Sequence, residues 1–236
     1  MEIEILNSYE EISRKASAII TRQLESKKDM LLCAATGNTP TRTYELLAGQ
    51  YIHRPEDFAA MQVLKLDEWG GIPMNDAGTC ESYLNTRLLS PLQITSERYF
   101  SFCSDTPNPD LECRRIQGEL TKAGPIDCCV LGLGMNGHIG FNEPAAFLQP
   151  GCHVAQLSET TLHHSMVTAM SRQPSYGLTL GMADILQARR ILLLVSGSAK
   201  KEITRELLSK KVTTSLPASL LWLHGNTICL LDREAV

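Results

Sequence analysis

One α/β domain built on a mostly parallel sheet is the fold class this sequence predicts, and three observations carry it. The runs Leu31-Leu32-Cys33-Ala34-Ala35, Cys128-Cys129-Val130-Leu131 and Ile191-Leu192-Leu193-Leu194-Val195 are short and continuously apolar, as strands buried on both faces are. Each runs into a glycine-containing loop at its carboxyl end, where open α/β sheets place their ligands. The 236 residues, 43% of them hydrophobic, suffice to bury one full core, and no linker, repeat or low-complexity tract divides residues 1–236.

In chain order, Ser8-Tyr9-Glu10-Glu11 has the form of a capping box, and Ile12, Ala16, Ile19 and Ile20 follow at helical spacing, so a first helix runs over 8–24. The strand at 31–35 leads through Thr36-Gly37-Asn38-Thr39 into a helix that Pro40 opens, with Thr39 as its cap. A strand at 62–66 delivers Asp67-Glu68-Trp69 to its end before Gly70-Gly71-Ile72-Pro73 breaks the chain. Helical patterns cover 79–89 and 109–122, the latter with Leu111, Ile116 and Leu120 inward, and 99–103 reads as a short strand. After the strand at 128–131 and its loop come strands at 154–157 and 176–180, with a helix over 159–170 between them. The run at 190–195 ends in Ser196-Gly197-Ser198 and opens a helix with Lys200 in its first turn; 219–224 forms a short helix or turn and 227–231 a closing strand.

The net charge of −4, with no lysine or arginine cluster, gives no electrostatic footprint for nucleic acid or an anionic membrane. No apolar run approaches the roughly 20 residues that span a bilayer, and Met1-Glu2-Ile3-Glu4 lacks a signal-peptide charge pattern, so a cytoplasmic protein is expected. The eight cysteines form no C-x-x-C pair, and Cys33, Cys128, Cys129 and Cys229 sit in apolar runs. Free thiols and no structural metal are expected.

Residues 132–144, GLGMNGHIGFNEP, place three glycines within six residues and project Asn136, His138 and Glu143 toward the crevice. Gly132, Gly134 and Gly137 match the dinucleotide-binding fingerprint, but that motif needs a helix starting among its glycines, which Gly140 and Pro144 oppose. A lone histidine in such a loop would more often cap a backbone carbonyl; an asparagine, a histidine and a carboxylate together favour chemistry. Thr36-Gly37-Asn38-Thr39 and Ser196-Gly197-Ser198 with Lys200 each have the makings of an anion site. N–H groups at a helix start carry partial positive charge, and glycine lets a phosphate approach the main chain. An ordinary strand-to-helix turn and a solvated lysine are the plainer alternatives. Asp67 and Glu68 point to opposite faces of a strand, so only one can face the crevice.

Taken in order, Thr36-Gly37-Asn38-Thr39-Pro40, Leu66-Asp67-Glu68-Trp69, residues 132–144 and Gly197-Ser198-Ala199-Lys200 resemble the motifs of the hexosamine-6-phosphate isomerase/deaminase family, over nearly the whole chain. The resemblance implies a Rossmann-like three-layer α/β/α sandwich. It also implies conversion of an amino-sugar 6-phosphate into a ketose 6-phosphate and ammonia, without cofactor or metal. By the same resemblance Asp67 is the base that moves a proton from C2 to C1, His138 opens the sugar ring, and Glu143 and Asn136 orient and tune the imidazole. Thr36, Gly37, Asn38, Thr39, Gly137 and Lys200 would contact the substrate or its phosphate, and Glu68 would be the acid beside the base. His164 would stand in for an arginine of the family. Asn136 takes the place of an aspartate found in the best-known deaminases.

Gly78-Thr79-Cys80-Glu81 and residues 148–153 and 220–224 look like the galactosamine-6-phosphate branch rather than the glucosamine one. A 6-phosphogluconolactonase shares the fold and phosphate loop, but its histidine loop continues into serine and leucine where this chain has Phe141-Asn142-Glu143-Pro144. A sugar-phosphate-sensing regulator would need a helix-turn-helix, for which there is neither basic patch nor spare length. A homo-oligomer is compatible with the family.

Overall fold

A computed structural model describes residues 1–163 and 166–236. The chain opens with β1 (Glu2–Leu6) and α1 (Tyr9–Ser26), then β2 (Leu31–Ala34), α2 (Asn38–His53), β3 (Gln62–Lys65), β4 (Asp67–Gly70), α3 (Cys80–Leu84), β5 (Tyr99–Phe100) and α4 (Pro109–Ala123). It continues through β6 (Cys128–Gly132), β7 (His153–Ala155), α5 (Glu159–Leu162), β8 (Tyr176–Thr179), α6 (Met182–Leu186), β9 (Ile191–Val195), α7 (Lys201–Leu208) and β10 (Thr227–Asp232).

A seven-stranded sheet, ordered β1-β10-β9-β6-β2-β3-β5, is parallel at every pairing. Alternate residues enter opposite faces. Leu32, Ala34, Cys128, Val130, Leu192 and Leu194 join Ile12 and Ile20 of α1 and Tyr44 and Leu47 of α2 in one core. Leu31, Cys33, Cys129, Leu131, Ile191 and Leu193 join Cys113 and Ile116 of α4, Ile185 of α6 and Ile203 and Leu207 of α7 in the other. The result is a three-layer α/β/α sandwich, and double-sided burial is why its central strands read as unbroken apolar runs. All eight cysteines are free. Among the described residues no helix is long and apolar enough to cross a membrane.

Three departures from expectation have local causes. β1 is an edge strand with Glu2 and Ile5 exposed, so it lacks the apolar run that marks the central strands. Asp67-Glu68-Trp69 does not end the strand before it but begins β4, in a separate antiparallel sheet ordered β4-β8-β7. Leu66 is the joint: its N–H donates to Ala34 and its carbonyl accepts Leu180 N–H, one partner on each side. Among the described residues, the span expected as a helix over 159–170 holds α5 and a 3₁₀ turn at Val167–Ala169, with β-branched Thr160, Thr161 and Val167 weakening helix propensity.

β2 and β6 are neighbours at the sheet's centre, yet the chain leaves β2 toward β3, on one side, and the strands after β6 lie on the other. Their carboxyl-end loops diverge and open a crevice at this switch point.

Candidate active site

The crevice offers about 820 Å³ of space, counting the open solvent at its mouth. Residues 35–40 line it after β2, Asp67 and Trp69 from β4, and Gly132, Leu133, Gly134, Met135, His138, Gly140 and Phe141 after β6; Thr160, Thr161, Met166 and Lys200 complete the wall.

One end has the features of an anion site. Gly37 takes φ 104°, which only glycine adopts without strain, and this turn starts α2 at Asn38 with no side-chain cap. Thr39 is therefore inside the helix rather than its cap, and the first N–H groups are left free toward a ligand. Across the cleft Gly197, at φ 92°, leads into a 3₁₀ turn at Ser198–Lys200. That turn makes Lys200 the residue before α7 instead of part of its first turn. The Lys200 ammonium donates to the Leu133 carbonyl at 2.6 Å, and burial lowers its pKa. Among the described residues it is the only lysine or arginine lining the cleft. His164 lies outside the described residues.

Asp67, 8% exposed, opens β4 at the middle of the cleft. Burial first, and then the charge of Glu68, push its carboxyl from the usual range up to about 7, against the opposing pull of Lys65 and the Cys80 thiol. Cys80 Sγ lies 3.9 Å from Asp67 Oδ1 and 3.3 Å from Thr36 Oγ1, joining the carboxylate to the anion loop.

Glu68 turns away, as strand alternation requires, and lines no part of the cleft. The resemblance puts it beside the base as a substrate contact; in the structure the start of α3 takes up its carboxylate. Its Oε1 accepts Trp69 N–H at 2.7 Å and Cys80 N–H at 2.9 Å; its Oε2 accepts Glu81 N–H at 2.8 Å and the Lys65 ammonium at 2.7 Å. Lys65, wholly buried, also donates to Glu81 at 2.8 Å. Burial alone would lower its pKa, but Glu68 and Glu81 outweigh it and raise it. The pair thus pins β4 to the start of α3.

The loop after β6 carries the second reactive group. Its Gly137, at φ 84°, leaves no room for a Cβ beside Leu216, and its carbonyl accepts the Ala218 N–H, so it shapes the turn and does not line the cleft. Asn136 Oδ1 accepts the His138 N–H at 3.2 Å, and Asn136 Nδ2 donates to Glu143 Oε2 at 2.8 Å. His138 Nδ1 lies 3.5 Å from Glu143 Oε2. Burial opposes the Glu143 charge, but bonding to His138, that ring's charge, Thr161 and Asn136 together hold its carboxyl down at about 2. Glu143 thus stands beside the imidazole, and Asn136 ties that carboxylate to the His138 backbone.

The sequence assigns no place in the site to Thr161 or Ser158, and marks Cys80 only as part of a segment resembling one branch of the family. Ser158 capping α5 through Thr161 N–H was the available local signal, but the contacts of Ser158 and Thr161 with Glu143 span 15 and 18 residues and have no sequence signature.

The arrangement offers a buried base, a carboxylate-backed imidazole and an anion cradle in one cleft. Residues 7–229 match the family described as glucosamine-6-phosphate isomerases/6-phosphogluconolactonase. The chain is 40% identical over 230 residues to the deaminase AgaI of Escherichia coli strain K12, covering 98% of this chain and 91% of that one. It is 35% identical over 237 residues to the glucosamine-6-phosphate deaminase of Shouchella clausii, covering 100% and 96%. Among solved structures, a monomeric glucosamine-6-phosphate deaminase superposes with TM-score 0.95 at 34% identity, covering 100% of this chain and 98% of that one. A 6-phosphogluconolactonase from Leishmania guyanensis shares the fold at TM-score 0.80 and 21% identity, covering 99% and 97%.

Proposed function

The chain belongs to the glucosamine-6-phosphate isomerase/6-phosphogluconolactonase family, and from that membership we propose that it isomerises and deaminates an amino-sugar 6-phosphate, releasing ammonia. The observation that carries this reading is that Asp67, a buried carboxyl with a pKa of about 7, and His138, backed by Glu143, open into one cleft. The phosphate lies at the uncapped start of α2, with Thr36 and Lys200 beside it. His138 passes a proton between the anomeric hydroxyl and the ring oxygen, opening the sugar. Asp67 then takes the C2 proton and returns it at C1. The amino aldehyde becomes an imine at C2, which water hydrolyses to the ketone and ammonia. No step needs an oxidant or a cofactor.

Galactosamine 6-phosphate is the preferred epimer in this reading, because three segments resemble that branch. Of them only Cys80 adjoins the cleft's reactive groups. Residues 148–153 and 220–224 line none of it: His153 bonds the Gly151 carbonyl and Trp222 the Leu207 carbonyl. The glucosamine-type relatives favour the other epimer. Ammonia release from both epimers, measured side by side, decides it. One hydroxyl matched or left unpaired gives about 5- to 150-fold in kcat/KM, expected toward galactosamine 6-phosphate. The reverse preference overturns the epimer and keeps the deaminase; no ammonia from either overturns both.

A further inference from the structure

We propose that Thr161 is a positioning residue that fixes the tautomer of His138, holding the ring proton on Nδ1 and leaving Nε2 bare as the proton acceptor. The task of His138 rests on the function proposed above; the proton's location does not.

The argument is an inventory of protons. Thr161 is 3% exposed, so its hydroxyl has no ready exchange with solvent. Its Oγ1 lies 2.5 Å from Glu143 Oε1, 3.0 Å from Ser158 Oγ and 3.3 Å from His138 Nδ1. A hydroxyl has one proton to give, and an ionised carboxylate can only accept. The shortest of the three contacts, to Glu143, therefore takes it, and Thr161 Oγ1 is an acceptor toward both other neighbours.

Ser158 agrees with this assignment. Its oxygen accepts Thr161 N–H at 3.2 Å and Asn136 Nδ2 at 3.3 Å, which leaves its own proton to point at Thr161. Asn136 spends Nδ2 on Glu143 as well, at 2.8 Å, and its Oδ1 on the His138 N–H. The amide's orientation is thus fixed by its neighbours. What faces His138 Nδ1 is the Thr161 oxygen at 3.3 Å and Glu143 Oε2 at 3.5 Å, both acceptors. A neutral imidazole in this setting carries its hydrogen on Nδ1. Among the described residues, the other charged groups lining the cleft, Asp67 on β4 and Lys200 before α7, offer no bond to Nδ1.

Thr161 acts on the ring through the carboxylate. Glu143 Oε2 alone is a long partner for the ring, and without the Thr161 hydroxyl Oε1 loses its shortest donor. The carboxylate can then turn, and the ring can take the other tautomer, in which Nε2 already holds a hydrogen and cannot receive one from the sugar. α5, only four residues long, places this hydroxyl because Ser158 caps it.

The test uses the full chain labelled with ¹⁵N-histidine, with His138→Gln to assign the signal. Ring-nitrogen shifts at a pH where the imidazole is neutral should show Nδ1–H in the parent protein and in Thr161→Ser. In Thr161→Val, which keeps the shape and removes the hydroxyl, the Nε2–H form should appear. That variant's kcat should fall roughly 10- to 100-fold, part of the range acid–base catalysis supplies, with KM little changed. An Nε2–H imidazole in the parent protein overturns the proposal, as does a valine variant with unchanged shifts and unchanged kcat. Should the parent release no ammonia from any amino-sugar phosphate, the functional reading fails while the nitrogen shifts still decide the tautomer.

Discussion

The imidazole of His138 occupies the space that a side chain at Gly134 would need. A Cβ built on Gly134 would fall 2.4 to 2.5 Å from ring atoms Cδ2, Cγ and Nε2, while the Gly134 N–H donates to the His138 carbonyl at 3.1 Å. The glycine is the floor on which the ring rests. Gly134→Ala should displace the ring and cut kcat about 100-fold, the usual cost of a misplacement on the order of 1 Å. Steady-state ammonia release checks it, and an unchanged kcat would place the ring's working position elsewhere.

Asp67 links activity to pH. With its carboxyl at about 7, kcat/KM should fall on the acid side of neutrality as the base protonates. The charge of Glu68 helps hold that value up, so Glu68→Gln should move the acid limb to lower pH. The same change breaks a buried pair with Lys65 and should cost about 3–5 kcal/mol of stability, read by denaturant unfolding. A limb that stays in place or moves upward would remove Glu68 from the electrostatics of the base.

The same carboxyl costs the fold stability. Its pKa is raised on folding, so the native state gains from its proton: the contribution is complete below about 3.8 and lost as pH rises through about 7. Asp67→Asn should therefore unfold less readily than the parent protein at pH 8, by up to about 4 kcal/mol, with the gap closing near pH 4. Equal stability at both pH values would mean that the carboxyl is not destabilised by burial.

Asn136 donates to Glu143 at 2.8 Å, so Asn136→Asp replaces a donor with a second carboxylate at that distance. At low pH one of the two can hold a proton and restore a bond; at high pH neither does. The loss in Tm should be larger at pH 8 than at pH 4. A loss independent of pH would separate residue 136 from Glu143.

Lys200 should govern phosphate affinity. Lys200→Met removes a charge-assisted bond worth about 1.5–3 kcal/mol, so KM should rise roughly 10- to 100-fold with a smaller change in kcat. An unchanged KM would leave the ammonium serving the Leu133 carbonyl alone.

What the sequence disclosed follows from how local each signal is. Central strands advertise themselves because burial on both faces demands unbroken apolar residues, and Gly37 and the 132–144 loop do so because turn geometry demands glycine. β1 escaped because an edge strand may carry Glu2 and Glu4, and the small sheet escaped because the bend at Leu66 has no glycine or proline to mark it. In the site, Asp67, Asn136, His138 and Glu143 were legible as motif members. The resemblance sets Glu68 beside the base, whereas strand alternation puts it on the face opposite Asp67, where Lys65 and the start of α3 bond it. The contacts of Thr161 and Cys80 in the site were not legible because their partners come from other loops.

The central claim is that Asp67 is the base of an ammonia-releasing isomerisation. Its most direct test compares the parent protein with Asp67→Asn on galactosamine 6-phosphate and glucosamine 6-phosphate, with no added cofactor, following ammonia while measuring substrate affinity separately. The parent should release ammonia from at least one epimer, and the variant should bind that substrate nearly as well yet turn over about 100- to 10,000-fold more slowly. Turnover by Asp67→Asn at the parent's rate, or no ammonia from the parent with either epimer, would contradict it.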